Sequence, residues 1–135
     1  MDCEFCDIVA GEGDAQVVHR DDDAIAFLDI YPAIPGHTLV APTAHHRGLF
    51  DLDDAAVGAT FSLVRDVAVA QQAALDAEGV SVFQSSGAVA GQDVFHVHAH
   101  VIPRFEDDHI HFAPSRQTLT DEDSADIAAA IAGEL

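Results

Sequence analysis

Apolar and polar positions alternate in short runs along most of the chain and switch to helical spacing in two places, which predicts strands packed with a few helices. Cys3 to Ala10 reads as a short helix or turn closed by Gly11 and Gly13. Gln16 to Arg20 and Ala24 to Ile30 then read as paired strands, with Pro32 and Pro35-Gly36 as punctuation and His37 to Ala41 as a third strand ended by Pro42. Val57, Phe61, Val64, Ala68, Gln71 and Leu75 recur at helical spacing, which predicts a long helix capped by Asp51 or Asp53 and running to Glu78, where Gly79 stops it. Val80 to Gln84 and Val94 to Ile102 are two more strands, joined by the small-residue loop Ser85 to Gly91, and Pro103 ends the second. A last helix, Thr120 to Ala132, opens on a Thr-x-x-Asp capping pattern. Five strands around one long helix predict an α+β fold with an antiparallel sheet.

At 135 residues the chain fits one domain with a core of its own, 1–135 with the main body at about 3–104 and a tail at 105–135. No apolar run reaches the length of a membrane span, and Met1-Asp2-Cys3-Glu4 lacks a basic start and apolar core, so a cytoplasmic protein is expected. Five Arg against 24 acids give a formal charge of −19, which argues against nucleic acid as a partner. Lys is absent and the acids cluster at 21–23, 51–54, 106–108 and 121–126, the pattern of a halophile's surface. At about 1 M salt the Debye length is about 3 Å, so the self-repulsion of such a surface is screened.

The chemistry concentrates in His96-Val97-His98-Ala99-His100, where alternate residues of a strand would set three imidazoles on one face and Phe95, Val97, Ala99 and Val101 on the other. Neighbouring histidines of such a strand stand about 6.6 Å apart, so a metal site using two of them, a solvated face and a row of catalytic imidazoles all remain open. The preceding loop, Gly87 to Val94, is small enough for its backbone N–H groups to form an anion-binding nest. Asp107-Asp108-His109-Ile110-His111 carries a further His-x-His, read as a solvated segment of the tail, and His19 has no partner that sequence can name.

Gly91-Gln92-Asp93-Val94-Phe95-His96-Val97-His98-Ala99-His100-Val101-Ile102-Pro103-Arg104 closely resembles the signature of the histidine triad (HIT) family of nucleotide hydrolases and transferases. The likeness extends to Ala26-Phe27-Leu28-Asp29-Ile30, to Pro35-Gly36-His37-Thr38-Leu39-Val40-Ala41-Pro42 and to Cys3 through Gly11. The resemblance implies a HIT-like fold, a homodimer and a covalent mechanism in which His98 attacks the α-phosphorus of a purine nucleotide and water releases the monophosphate. It further implies that a backbone carbonyl of the neighbouring strand holds the other His98 nitrogen, that His100 and His37 contact the phosphate, and that Gln92 lies beside the leaving atom. His96 stands with the catalytic set as the first of the triad. Asp29 matches the ribose contact; Phe5, Ile8, Phe27, Ile30 and Leu39 match the wall around the base; Ser85, Gly91 and Val94 complete the nucleotide-binding set. Two positions depart from the family pattern: Ser85 stands where many members carry Asn, and Asp93 where animal members carry Ser, with its charge expected to turn outward.

Cys3-Glu4-Phe5-Cys6 lacks the preceding strand of a thioredoxin-like redox site, which leaves a metal half-site or free thiols. The microbial CxxC branch of the family implies a structural zinc on Cys3, Cys6, His45 and His96, the spacing favouring His45 over His46. Three functions follow: a nucleotide phosphoramidate hydrolase, a dinucleoside polyphosphate hydrolase of the same fold, or a zinc-stabilised nucleotide-binding module with little turnover.

Overall fold

The computed structural model describes residues 2–135. Helix α1, Glu4–Val9, is capped by Cys3, whose sulfur accepts the Cys6 N–H, and leads into strands β1 (Val17–Arg20), β2 (Ala24–Leu28) and β3 (Thr38–Pro42). Helix α2 spans Asp54–Leu75 and is followed by β4 (Gly79–Gln84), β5 (Ala99–Arg104) and helix α3 (Asp121–Ala132). The five strands form one sheet in the order β1-β2-β3-β5-β4, with every neighbouring pair antiparallel. The α+β class and the antiparallel sheet are as the pattern predicts.

Both faces of the sheet are covered, which is why β2 and β3 are buried almost throughout. On one face Ala24, Ala26, Val40, Ala99 and Val101 pack against Leu63, Val64 and Val67 of α2. On the other, Ile25, Phe27, Leu39 and Ala41 pack against Cys3, Phe5 and Ile8 of the α1 segment. His100 alternates with Ala99 and Val101 along β5 and so faces the α1 side.

Four expectations are corrected. The strand predicted from Val94 begins only at Ala99, where both ladders stop, at Val40 of β3 and at Gln84, the last residue of β4. Before it the Val97 N–H goes to the His46 carbonyl at 2.7 Å, so His96 and His98 lie outside the strand. Pro103 continues β5, paired with Val80 beyond the last β3 partner at Thr38 opposite Val101, where its missing N–H costs no bond on that side. Helix α2 ends at Leu75, three residues before the predicted stop: Asp76 turns into the left-handed region (φ 57°), and the Glu78 N–H is already bonded to the Arg104 carbonyl. Its buried positions are Thr60, Leu63, Val64, Val67 and Gln71, which leaves Val57, Phe61 and Leu75 of the predicted stripe exposed.

Close packing fixes the entry to β3. A Cβ on Gly36 (φ 101°) would stand 2.6 Å from Leu75 Cδ1 and 3.1 Å from Pro103 Cγ. Only glycine fits there, and the turn it allows delivers His37 to the sheet.

Candidate active site and metal centre

Cys3 and Cys6 lie on the first turn of α1, His45 follows β3, and His96 precedes β5; their four ligand atoms lie within 4.8 Å of one another. His96 Nδ1 is 3.5 Å from Cys3 Sγ and 3.6 Å from Cys6 Sγ, and His45 Nδ1 is 3.5 Å from Cys6 Sγ. Ligands held 2.0–2.3 Å from a tetrahedral zinc are separated by about 3.3–3.8 Å, the spacing found here. The tautomer agrees with it. His96 Nε2 is 2.8 Å from the Pro42 carbonyl, which can only accept, so Nε2 carries the proton and the Nδ1 lone pair faces the sulfurs. Burial and the neighbouring Cys3 sulfur push the Cys6 thiol up to about 11. A divalent cation would supply the positive charge that its thiolate lacks. The donor set therefore fits zinc.

The other two triad histidines face a recess of about 120 Å³ under α1, lined by Phe5, Ile8, Phe27, Asp29, Ile30, Leu39, Val94, His98 and His100, with Glu4, Asp14, Ala15, Leu28, Tyr31 and Asp93. No Lys or Arg is among these lining residues. His98 Nδ1 is 2.8 Å from the His96 carbonyl, so Nδ1 holds the proton and Nε2 keeps its lone pair. The Phe5 ring meets the His98 ring edge-on at 4.9 Å.

His100 takes the complementary tautomer through a chain that starts in the backbone. The Ala33 N–H donates to His37 Nδ1 at 3.1 Å, which leaves the proton of the neutral ring on Nε2. His37 Nε2 is 2.9 Å from His100 Nδ1 and 3.5 Å from Asp29 Oδ2. His100 Nδ1 therefore accepts, and its Nε2 is a donor. Burial holds His37 below the ordinary histidine value against the opposing pull of Asp29, and burial with neighbouring His98 and His37 takes His100 down to about 4. Phe83, opposite His100 in the sheet, stacks on its ring at 4.1 Å. In their neutral forms the two rings thus present one lone pair and one donor to the recess.

A family model described as the HIT domain matches residues 10–107. The chain belongs to the HIT family. An adenylylsulfatase of Arabidopsis thaliana is 36% identical over 107 residues, 79% of this chain and 54% of that protein. A crystal structure of a HIT family protein from Bacillus subtilis superposes with a TM-score of 0.93 at 33% identity, covering 100% of this chain and 98% of that one. A zinc-bound histidine triad family protein from Mycobacterium smegmatis superposes with a TM-score of 0.79 at 33% identity, covering 96% and 98% of the two chains.

Against the strand alternation, the three imidazoles divide between two sites instead of sharing one face: His96 turns to the cysteines, the grouping that the resemblance implies, while His98 and His100 line the recess. The acceptor for His98 is the His96 carbonyl two residues away, not a carbonyl of the neighbouring strand. Gln92 is buried away from the recess. Its Oε1 accepts the Gly87 N–H at 2.8 Å and its Nε2 donates to the carbonyls of Arg47 and Val94 at 2.7 and 3.1 Å, so the amide clamps the loop. The loop is no open nest, because the Gly87, Ala90, Gly91, Gln92 and Val94 N–H groups are all bonded within it. Gly91 (φ 97°) caps a 3-10 turn, Ala88–Ala90, outside the recess. Ser85 also lies outside, and the Ser86 hydroxyl meets the Leu49 N–H instead.

Asp93 is largely solvent-exposed as expected, yet its carboxylate reaches to 3.9 Å from His98 Nε2. Sequence reasoning missed Phe83, which the pairing of β4 with β5 would have revealed. It also missed the backbone partners at Ala33, Pro42 and His96, for which side-chain identities carry no signal. A larger groove of about 710 Å³ between α2 and the β1–β2 edge contains none of the triad.

Proposed function

We propose that this HIT protein is a nucleotide phosphoramidate hydrolase acting through a covalent nucleotidyl-His98 intermediate. The observation that carries the reading is the bond of His98 Nδ1 to the His96 carbonyl, which leaves the Nε2 lone pair facing the recess. In the first step Nε2 bonds to the α-phosphorus of a purine nucleotide as the P–N bond breaks, and the departing amine takes its electron pair and a proton from water. The positive charge that develops on the ring is met by the carbonyl at Nδ1 and by the Asp93 carboxylate 3.9 Å from Nε2. The His100 Nε2–H donates to a non-bridging phosphate oxygen. Water then attacks the phosphorus, its proton passes to solvent, and the 5′-monophosphate leaves with His98 restored. Asp29 takes the ribose hydroxyls, and Phe5, Ile8, Phe27, Ile30 and Leu39 wall the base; Gln92, Gly91, Ser85 and Val94 act by shaping the loop beside it.

Zinc held by Cys3, Cys6, His45 and His96 is structural in this reading, tying α1 over the recess to the segment that carries His98. The protein works as a homodimer in the cytoplasm of a salt-rich cell, with the exposed Val57 and Phe61 of α2 and Val82 of edge strand β4 as the apolar surface available to a second copy.

The acids around the recess and the lack of Lys or Arg in its lining favour a single phosphate with a neutral or cationic leaving group over the long anionic chain of a dinucleoside polyphosphate. The test is quenched mass spectrometry of zinc-loaded protein mixed with adenosine 5′-phosphoramidate in multimolar KCl, beside His98→Ala. An adenylyl adduct on His98, and AMP from the unmutated protein alone, supports the proposal. Bound nucleotide without adduct or AMP on any substrate, phosphoramidate or dinucleoside polyphosphate, would make the triad the binding site of a module with little turnover.

A further inference from the structure

The mouth of the recess carries a negative charge that a phosphate has to meet. The Asp93 side chain is 84% exposed, yet its Oδ1 lies 3.9 Å from His98 Nε2, and among the described residues it is the carboxylate paired with that ring. It is held there. Oδ1 also accepts the Val94 N–H at 2.9 Å, and the backbone on either side is clamped by the Gln92 amide through Gly87, Arg47 and Val94. Asp29, by contrast, is turned towards His37 and accepts the Tyr31 N–H at 2.9 Å.

An in-line displacement fixes the order of the groups around this carboxylate. With reacting atoms about 3–3.5 Å apart, the phosphoryl group stands against Nε2 and the leaving nitrogen lies on the far side of phosphorus. The phosphoryl oxygens then come close to Asp93, and like charges repel even where water screens them. No Lys or Arg among the described lining residues offsets that repulsion. The wall of Phe5, Ile8, Phe27 and Leu39 is buried under α1. With the base against that wall, whatever the departing amine carries extends towards the exposed mouth, where Asp93 stands.

We propose that the recess selects nucleoside 5′-phosphoramidates of diamines, whose second amino group is an ammonium that seats on Asp93, and that Asp93 is the residue setting this selectivity. The proposal rests on the hydrolase reading above and adds to it the chemistry of the leaving group. The ammonium supplies the positive charge that the protein's own lining lacks, so a cationic substituent is preferred to a neutral one and a neutral one to an anionic one. The step balances as before: Nε2–P forms as P–N breaks, the departing nitrogen keeps the electron pair and takes a proton from water, and the diamine leaves with both nitrogens charged. Because the Asp93 side chain is exposed, salt screens the pairing and narrows the preference.

The test compares kcat/KM of the zinc-loaded full chain on three adenosine 5′-phosphoramidates of similar length, with N-(3-aminopropyl), N-butyl and N-(2-carboxyethyl) groups. The assays run in the lowest KCl at which the chain stays folded by circular dichroism, then in multimolar KCl. At the lower salt the aminopropyl substrate leads the butyl one at least threefold and the carboxyethyl one at least tenfold, and the spread narrows at the higher. Asp93→Asn, which keeps an oxygen for the Val94 N–H, brings the three within twofold of one another, and Asp93→Lys reverses their order; these ratios hold whatever rate the variants lose in common. Equal rates on the three substrates overturn the proposal and leave the hydrolase standing. An unchanged spread in Asp93→Asn also overturns it, since another acid then sets the preference. No AMP from any of the three, nor from the unsubstituted phosphoramidate, refutes the hydrolase and the selectivity together.

Discussion

Replacing His37 by Leu isolates the part of the site that sets the proton on His100. His37 is 5% exposed and makes two bonds that leucine cannot: it accepts from the Ala33 N–H at 3.1 Å, and it holds His100 Nδ1 at 2.9 Å. Loss of the second leaves a half-buried acceptor without its donor, at a cost of about 1–3 kcal/mol. His100 escapes that cost by moving its proton to Nδ1, which turns Nε2 from a phosphate donor into a lone pair facing a phosphate. Losing the donor when negative charge builds at phosphorus slows the reaction roughly 10- to 100-fold, at about 1.4 kcal/mol per decade. The fall lies in kcat more than in KM, because the charge it answers grows in the transition state. His37→Gln keeps an N–H near the Nε2 position and is expected to recover a large part of the rate. The assays are steady-state kinetics on adenosine 5′-phosphoramidate and nitrogen-15 NMR of the His100 ring at pH 7. A His37→Leu enzyme within twofold of the parent kcat, with the His100 proton still on Nε2, would refute the argument that His37 positions this donor.

Acid weakens the fold through His100: its folded value near 4 lies below the ordinary 6.5, so its contribution is complete above about pH 6.5 and is lost as pH falls towards 4. Chemical denaturation at pH 7 and pH 4.5, with and without His100→Gln, should show a smaller acid loss in the variant. Cys6→Ser should lower the zinc content below one per chain by atomic emission and bring the melting temperature down by about 10 °C, at roughly 3–5 °C per kcal/mol for a chain of this size; full zinc and an unchanged melt would remove the metal centre from the account. The formal charge of −19 should make the melting temperature climb steeply between dilute buffer and multimolar KCl. A flat salt profile by calorimetry would contradict the salt-adapted surface.

The short apolar runs of β2, β3 and β4, bounded by turn residues, and the capping of α2 by Asp53, whose carboxylate accepts the Ala56 N–H at 2.7 Å, made the sheet and its long helix readable before any coordinates. The alternation pattern alone did not give the division of the triad. Alternating His and apolar residues predict one strand face, but the ladder to β3 ends at Ala99, and the Val97 N–H turns to His46 instead. Local periodicity cannot report where a neighbouring strand runs out of partners. The same limit hid the role of Gln92, whose two amide ends find three backbone groups up to 45 residues away. The face of α2 was misjudged because Val57 and Phe61 are as apolar as Leu63 and Val67; only the position of the sheet decides which pair is covered. Cys3 and Cys6 were legible from their types and spacing as a metal half-site, whereas His45 and His96 came from the resemblance to the family, and the fold brings all four together.

The central claim, two successive displacements at phosphorus with His98 as the first nucleophile, is tested most directly by stereochemistry. Each in-line displacement inverts the phosphorus centre. Hydrolysis of a phosphoramidate made chiral at the α-phosphorus with sulfur and oxygen isotopes, read by phosphorus-31 NMR, should therefore give product of retained configuration. Inverted product would mean that water attacks the substrate directly, and the covalent account would be wrong.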